Sequence, residues 1–255
     1  MRGNGSRLLL CCVLIFWAAG SALAVPTNIT VRVKSKGGKF IGTSMGGVLV
    51  TLKDADTGGL LAKGVATGDT GNTELIMKTP RRGVISDPGA SKFTATIDID
   101  QPTRVEVTAL GPLAQRQSAN KVSSTQWVFP GKHITGGNGW MLQMPGFVVD
   151  VLDPPAAITF TSVSEGITVT ANITMMCGCP VTPGGLWNAD ELDLKAVVTK
   201  NGQNGRSIDL KYADKPSQFR AVVPVDGKGV YELTVYAYDP SNGNTGLDRT
   251  TFRVR

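Results

Sequence analysis

Asp226-Gly227-Lys228-Gly229-Val230-Tyr231-Glu232-Leu233-Thr234-Val235-Tyr236-Ala237-Tyr238-Asp239 opens on an Asp-Gly turn and continues as a β-strand. Over 230–238 the side chains alternate with period two, and β-branched and aromatic residues dominate. Runs of the same kind stand at 158–163, 166–174, 192–200, 207–212 and 218–225, and 248–254 follows. Asn201-Gly202, Asn204-Gly205, Asp226-Gly227 and Asn242-Gly243 separate them. Such Asn-Gly and Asp-Gly pairs accept the positive φ of tight hairpins. Seven short strands at this spacing predict a sandwich of antiparallel sheets over 158–255.

The preceding half reads the same way. Ile29-Thr30-Val31-Arg32-Val33-Lys34 alternates, as do 47–53, 93–99 and 104–109. The stretch 60–67 returns from a turn at Asp54-Ala55-Asp56-Thr57-Gly58-Gly59, where Asp and Thr bond their own backbone. Gly68 to Gly71 turns again, and 73–78 is expected as a further strand. Residues 80–90 form a polar loop, and 127–129 and 146–151 supply the last strands. Asp153-Pro154-Pro155-Ala156-Ala157 reads as a linker, because consecutive prolines have no place in a central strand. With 41% hydrophobic residues the chain has material for a core, which excludes general disorder. Its 31 glycines and 14 prolines, and the lack of any helical stripe of about 11 residues, give an all-β class. The expectation is two β-sandwich domains in tandem, 25–152 and 158–255, joined by a proline linker at 153–157.

Two stretches resemble known families. Gly46-Gly47-Val48-Leu49-Val50-Thr51-Leu52, then Asp54 to Gly59, then Gly64-Val65-Ala66-Thr67-Gly68-Asp69, resembles the carboxypeptidase regulatory-like (transthyretin-like) sandwich. Pro102-Thr103-Arg104-Val105-Glu106-Val107 with Gly111 fits its closing strands, whereas Gly68 is an insertion in its usual Thr-Asp turn. The resemblance spans about 29–111, implies a non-catalytic accessory module, and carries over no catalytic residue. The 226–239 stretch resembles the F strand of bacterial immunoglobulin-like domains, with Tyr231 at the place of a tyrosine corner. The inter-sheet disulfide of antibody domains has no counterpart, since Cys177 and Cys179 lie two apart.

The first residues read as an export signal. Arg2 and Arg7 form a basic region before an apolar run at 8–19, and Ser21-Ala22-Leu23-Ala24 ends in a small-residue cleavage pattern. Residues 1–24 are therefore expected to leave as a signal peptide, placing the chain in the periplasm or outside the cell. Leu9-Leu10 before Cys11 argue against lipidation, and no later stretch is apolar and long enough to span a bilayer. The formal net charge of +6 falls with the loss of two arginines. The remaining basic residues are scattered, and Lys78-Thr79-Pro80-Arg81-Arg82 reads as a solvated loop, so no nucleic-acid partner is expected.

Candidate chemistry is sparse. The single imidazole, His133, sits in a Gly-rich loop, as an exposed loop residue or as a ligand contact, and excludes any site that needs two histidines. Met175-Met176-Cys177-Gly178-Cys179-Pro180 gathers soft sulfur ligands suited to Cu(I), with Met141 and Met144 as a second pair. In an oxidising compartment Cys177 and Cys179 are also a disulfide candidate, and either methionine of the pair is a core candidate. Trp140 and Trp187 lie beside glycines, as loop anchors or as platforms for a sugar ring. Asp239-Pro240-Ser241-Asn242-Gly243-Asn244 offers oxygens to calcium without the twelve-residue loop pattern. Asn28-Ile29-Thr30 and Asn172-Ile173-Thr174 are glycosylation sequons. These residues predict a secreted or periplasmic non-catalytic binding or structural module with no cofactor. Its partner would be a protein, or self-assembly on the cell envelope, met through the loop at 177–188 or a sheet edge. A copper or redox protein built on the Met-Met-Cys-Gly-Cys segment is one alternative. A carbohydrate-binding accessory protein is another.

Overall fold

The computed structural model describes residues 23–80, 83–163, 165–203 and 205–255. The expected signal peptide lies outside them except for Leu23 and Ala24, as do Arg81, Arg82 and Asn204. The chain is all-β. In the first sandwich a sheet of β4 (Phe93–Ile99), β1 (Val25–Ser35) and β7 (Trp140–Met144) faces a sheet of four. The four are β3 (Leu60–Ala66), β2 (Val48–Asp54), β5 (Thr103–Gly111) and β6 (Asn120–Val128), in that order. β1 runs antiparallel to β4 and parallel to β7. The period-two pattern puts Val31, Val33, Val48, Val50, Leu52, Val105 and Val107 inside, in one core.

The second sandwich has a four-stranded sheet of β13 (Lys211–Tyr212), β14 (Gln218–Val223), β10 (Ile167–Met175) and β8 (Phe147–Asp153). Facing it are β12 (Arg206–Asp209), β11 (Asp193–Lys200), β15 (Gly229–Asp239), β16 (Asn244–Val254) and β9 (Ile158–Phe160). β15 is paired on both sides, by β11 and by β16. Its inward residues Tyr231, Leu233, Val235 and Ala237 are all buried in the second core. The Tyr231 ring stacks on Phe252 with centroids 5.1 Å apart, and its hydroxyl donates to the Gly227 carbonyl at 2.7 Å.

Two expectations need correction. Residues Thr73–Lys78 are an α-helix, α1, rather than a strand. The Asn72 side chain accepts from the Leu75 N–H at 2.9 Å and caps it, Glu74 pairs with Lys78 one turn on, and Ile76 packs on Phe40 and Ala90. The boundary between the sandwiches also moves. β8 lay in the first domain by sequence, but it hydrogen-bonds to β10, and Phe147 and Val149 enter the second core. The change of sandwich therefore falls at Pro145-Gly146, before β8, and the prolines at 154–155 follow that strand.

β8 also ties the halves together. Its alternate residue Val148 turns the other way, into the first core. The same happens past the end of β10, where Met175 and Cys177 pack in the second core and Met176 in the first. Neighbouring side chains of an extended chain point to opposite faces. Here the two faces belong to two different cores.

Candidate functional site

The 175–191 segment is one meeting place of the two sandwiches. Beyond β10 the chain turns back on itself, the Met175 N–H donating to the Cys179 carbonyl and the Gly178 N–H to that of Met175. Cys177 and Cys179 are joined as a disulfide, with Cα atoms 5.4 Å apart. Gly178 sits at φ +77°, and a β-carbon there would stand 2.6 Å from the Met45 sulfur of the first sandwich. Glycine takes this φ without strain and leaves the Met45 side chain where it is. The Cys177 sulfur also accepts from the Lys39 N–H at 3.5 Å.

The loop that follows is braced and docked. The Asn188 side chain accepts from the Gly184 and Asp190 N–H groups and donates to Glu191. Trp187 packs against the second core while its indole N–H donates to the Gly37 carbonyl of the first sandwich at 2.9 Å. Lys36 donates to the Asn242 carbonyl at 2.7 Å. The Asp239 carboxylate accepts from Ser241 and Asn242, so it staples its own turn. The loop at 177–188 thus turns several of its groups inward, on the first sandwich.

The sulfur ligands do not converge. Met175 and Met176 are buried in different cores, Met144 is buried in the first, and Met141 is exposed on β7. Among the described residues no three His, Cys, Asp or Glu side chains gather around one point. His133 is exposed, and its Nδ1 accepts from the Asn28 N–H at 3.0 Å. Trp140, with 6% of its surface exposed, is a core residue beside Val31, so its ring is not open to a ligand. The exposed tryptophan is instead Trp127, at 55%, on the edge strand β6 across from Arg104, with Phe129 at 51% close by. Sequence reasoning placed 127–129 only as a strand. The alternation that marks a strand does not tell which face is left bare when the strand lies at an edge.

A second contact between the sandwiches is open. The Ser118 hydroxyl bonds the backbone of Val149, Gln117 donates to the same carbonyl, and Asn120 donates to the Pro145 carbonyl. Buried Asn244 closes a two-way bond with the Gly146 backbone, accepting at 2.6 Å and donating at 2.9 Å. Above these links lies a cleft of about 560 Å³, lined by the Gln117 to Asn120 segment on one wall and by β15 and β16 on the other. Gly246 forms part of its floor, where a β-carbon would stand 2.5 Å from the Phe147 carbonyl.

No charged side chain lines this cleft, but Lys195 and Asp193 of β11 border it, directly across from Tyr236 and Tyr238 of β15. Burial lowers the pKa of Arg32 against a raising pull from Asp87, and burial lowers that of Lys34. Asp209 and then Asp193 raise that of Lys195 on the outer face of β11. Desolvation, then the nearby Asp248, raises that of Asp150 on β8.

No protein-family model matches the chain, and no curated protein does. The chain is similar to the following solved structures, each at a TM-score under 0.3. The fibronectin(III)-like modules of Clostridium thermocellum CbhA share 11% identity over 90% of this chain and 94% of theirs, with a TM-score of 0.26. A DUF3823 family protein from Bacteroides uniformis shares 14% over 89% and 98%, with a TM-score of 0.27. Titin A168–169 shares 12% over 90% and 89%, with a TM-score of 0.22. The all-β sandwich class stands on the sheets described above.

Proposed function

We propose that this chain is an exported, non-catalytic binding module that acts at the cell envelope. The observation that carries this reading is the use of its polar side chains. Asp54, Asn72, Asn138, Asn188, Asp239 and Asn244 each bond turn, loop or cap groups within the chain. They shape a scaffold and do not converge on a reacting atom. Export is supported by the position of β1, which begins at Val25, one residue after the expected cleavage point. No helix among the described residues is long and apolar enough to cross a membrane. We read the first sandwich as similar to carboxypeptidase regulatory-like domains. The β2–β3 hairpin supports this, with Asp54 accepting from the Asp56 and Thr57 N–H groups in its turn.

The test is fractionation of a C-terminally tagged chain in a Gram-negative laboratory host, with intact mass and elemental analysis. The reading expects an exported chain starting at Val25 whose two cysteines are bridged. A chain that retains Met1 in the cytosol overturns the export. Copper bound to the exported chain and lost in Cys177→Ser replaces the module with a metal protein.

A further inference from the structure

The cleft between Gln117 and Leu247 has a volume of about 560 Å³, within the roughly 300–1,000 Å³ of small-molecule sites, which favour domain interfaces. Its chemistry is selective. The chain has 26 basic and 20 acidic residues, yet none of the residues lining the cleft is charged. Tyr236 and Tyr238 stand two apart on β15, so their rings follow each other by about 7 Å along one wall. Leu247 is 46% exposed beside them. Among the described residues the Tyr236 and Tyr238 hydroxyls have no hydrogen-bond partner. Opposite them the amides of Gln117 and Asn120 are already fixed by the Val149 and Pro145 carbonyls, and Asn120 keeps its acceptor oxygen.

Such a surface asks for a ligand that is neutral, flat on one face and rich in hydroxyls at its rim. Lys195 and Asp193, across from the two tyrosines, are of opposite sign, and Lys195 is already paired with Asp209, so a charged ligand would leave water for a site with no net counter-charge. An extended peptide would seek an open strand edge, but β15 is paired on both sides. A pyranose ring offers an apolar C–H face to each tyrosine and hydroxyls to the amides and phenols around it. We propose that the cleft binds a neutral glycan, with two successive sugar rings on Tyr236 and Tyr238. This inference rests on the binding-module reading and names its ligand class. The floor and the amide wall are held by bonds to β8, so the site needs little ordering when the sugar arrives.

Calorimetric titration of the mature full-length chain with cellopentaose, maltopentaose and xylopentaose tests it. At least one of the three is expected to bind, with Kd between roughly 10 μM and 1 mM. Tyr236→Ala and Tyr238→Ala each weaken it by about tenfold or more, and Trp127→Ala, outside the cleft, leaves it unchanged. Tyr236→Phe keeps the ring and the packing, so it serves if Tyr236→Ala does not fold, and it weakens binding by less. No binding to any of the three sugars overturns the proposal. So does loss of binding in Trp127→Ala with the tyrosine variants intact, which would move the glycan to β6. Binding of a decaproline peptide in place of the sugars also overturns it. A chain that is exported and processed but binds no sugar defeats this inference and leaves the module reading standing.

Discussion

On the 175–179 side the two sandwiches close over one another; on the side between Gln117 and Leu247 they leave a cleft of about 560 Å³. The closed side is built of apolar side chains that alternate between cores. Met176 goes to the first and Met175 and Cys177 to the second, with Gly178 against Met45 and Trp187 bonded to Gly37. The open side is built of polar links beneath a bare wall. Ser118, Gln117, Asn120 and Asn244 tie down the β8 region, and Tyr236, Tyr238 and Leu247 are left uncovered. β8 takes part in both sides, since Val148 enters the first core while Phe147 contributes to the second core and to the cleft floor. The closed side fixes how the sandwiches sit, and that leaves the open side preformed.

The strongest way to break the closed side is Met176→Ala. The side chain is fully buried in the first core although its backbone continues β10 of the second sandwich. Truncating a buried methionine costs about 2–5 kcal/mol, the spread reflecting how far the site collapses. Urea unfolding should show a loss in that range, and sugar affinity at the cleft should fall with it as β8 loses its support. An unchanged midpoint would mean that the 175–179 side carries little of the contact.

How much of this was readable in advance differs from element to element. β15 was legible because the nine residues 230–238 alternate without interruption and an Asp-Gly turn precedes them. β6 was not, except at 127–129, because an edge strand with Lys121, Ser123, Ser124, Thr125 and Gln126 exposed has no apolar face to show a period. α1 has six residues, too few for a 3.6-residue period to stand out from a two-residue one. β8 was seen as a strand, but its partner β10 is chosen by contacts far apart in sequence. The Cys177 and Cys179 pair was legible as a unit, whereas the opposite packing of Met175 and Met176 required knowing that a second core lay behind the strand. The cleft was illegible for the same reason. Gln117 and Tyr236 are brought together only by how the two sandwiches are joined.

A change inside one sandwich sharpens the contrast. Tyr231→Phe keeps the ring stacked on Phe252 and removes the hydroxyl that donates to Gly227. The Gly227 carbonyl belongs to an exposed residue, and water can replace the lost partner. The cost should be about 1 kcal/mol, the ordinary net value of such a bond. Since Tyr231 touches neither meeting side, sugar binding at the cleft should be unchanged. A parallel loss of stability and affinity would show that the corner and the cleft are coupled through β15.

The smallest effect is expected at Asp150, which stands on β8 between the two sides. Its pKa is raised, first by desolvation and then by Asp248, whose side chain accepts from the Val151 N–H at 2.9 Å. A carboxyl with a raised folded pKa favours the folded state fully below its unfolded pKa, and that contribution is lost as pH rises through the folded value. At neutral pH the wild type therefore carries a partly desolvated charge facing another acid. Asp150→Asn removes it and should stabilise the chain at pH 7 by a few tenths of a kcal/mol, a gain limited by solvent screening at this half-buried position. The advantage should shrink as pH falls through the raised folded pKa and be gone below the unfolded value of about 4, where the carboxyl is protonated in both states. Paired urea titrations of the two proteins across that interval read the difference directly. An advantage that grows toward acid would reverse the sign, and would mean that the charged form of Asp150 supports β8.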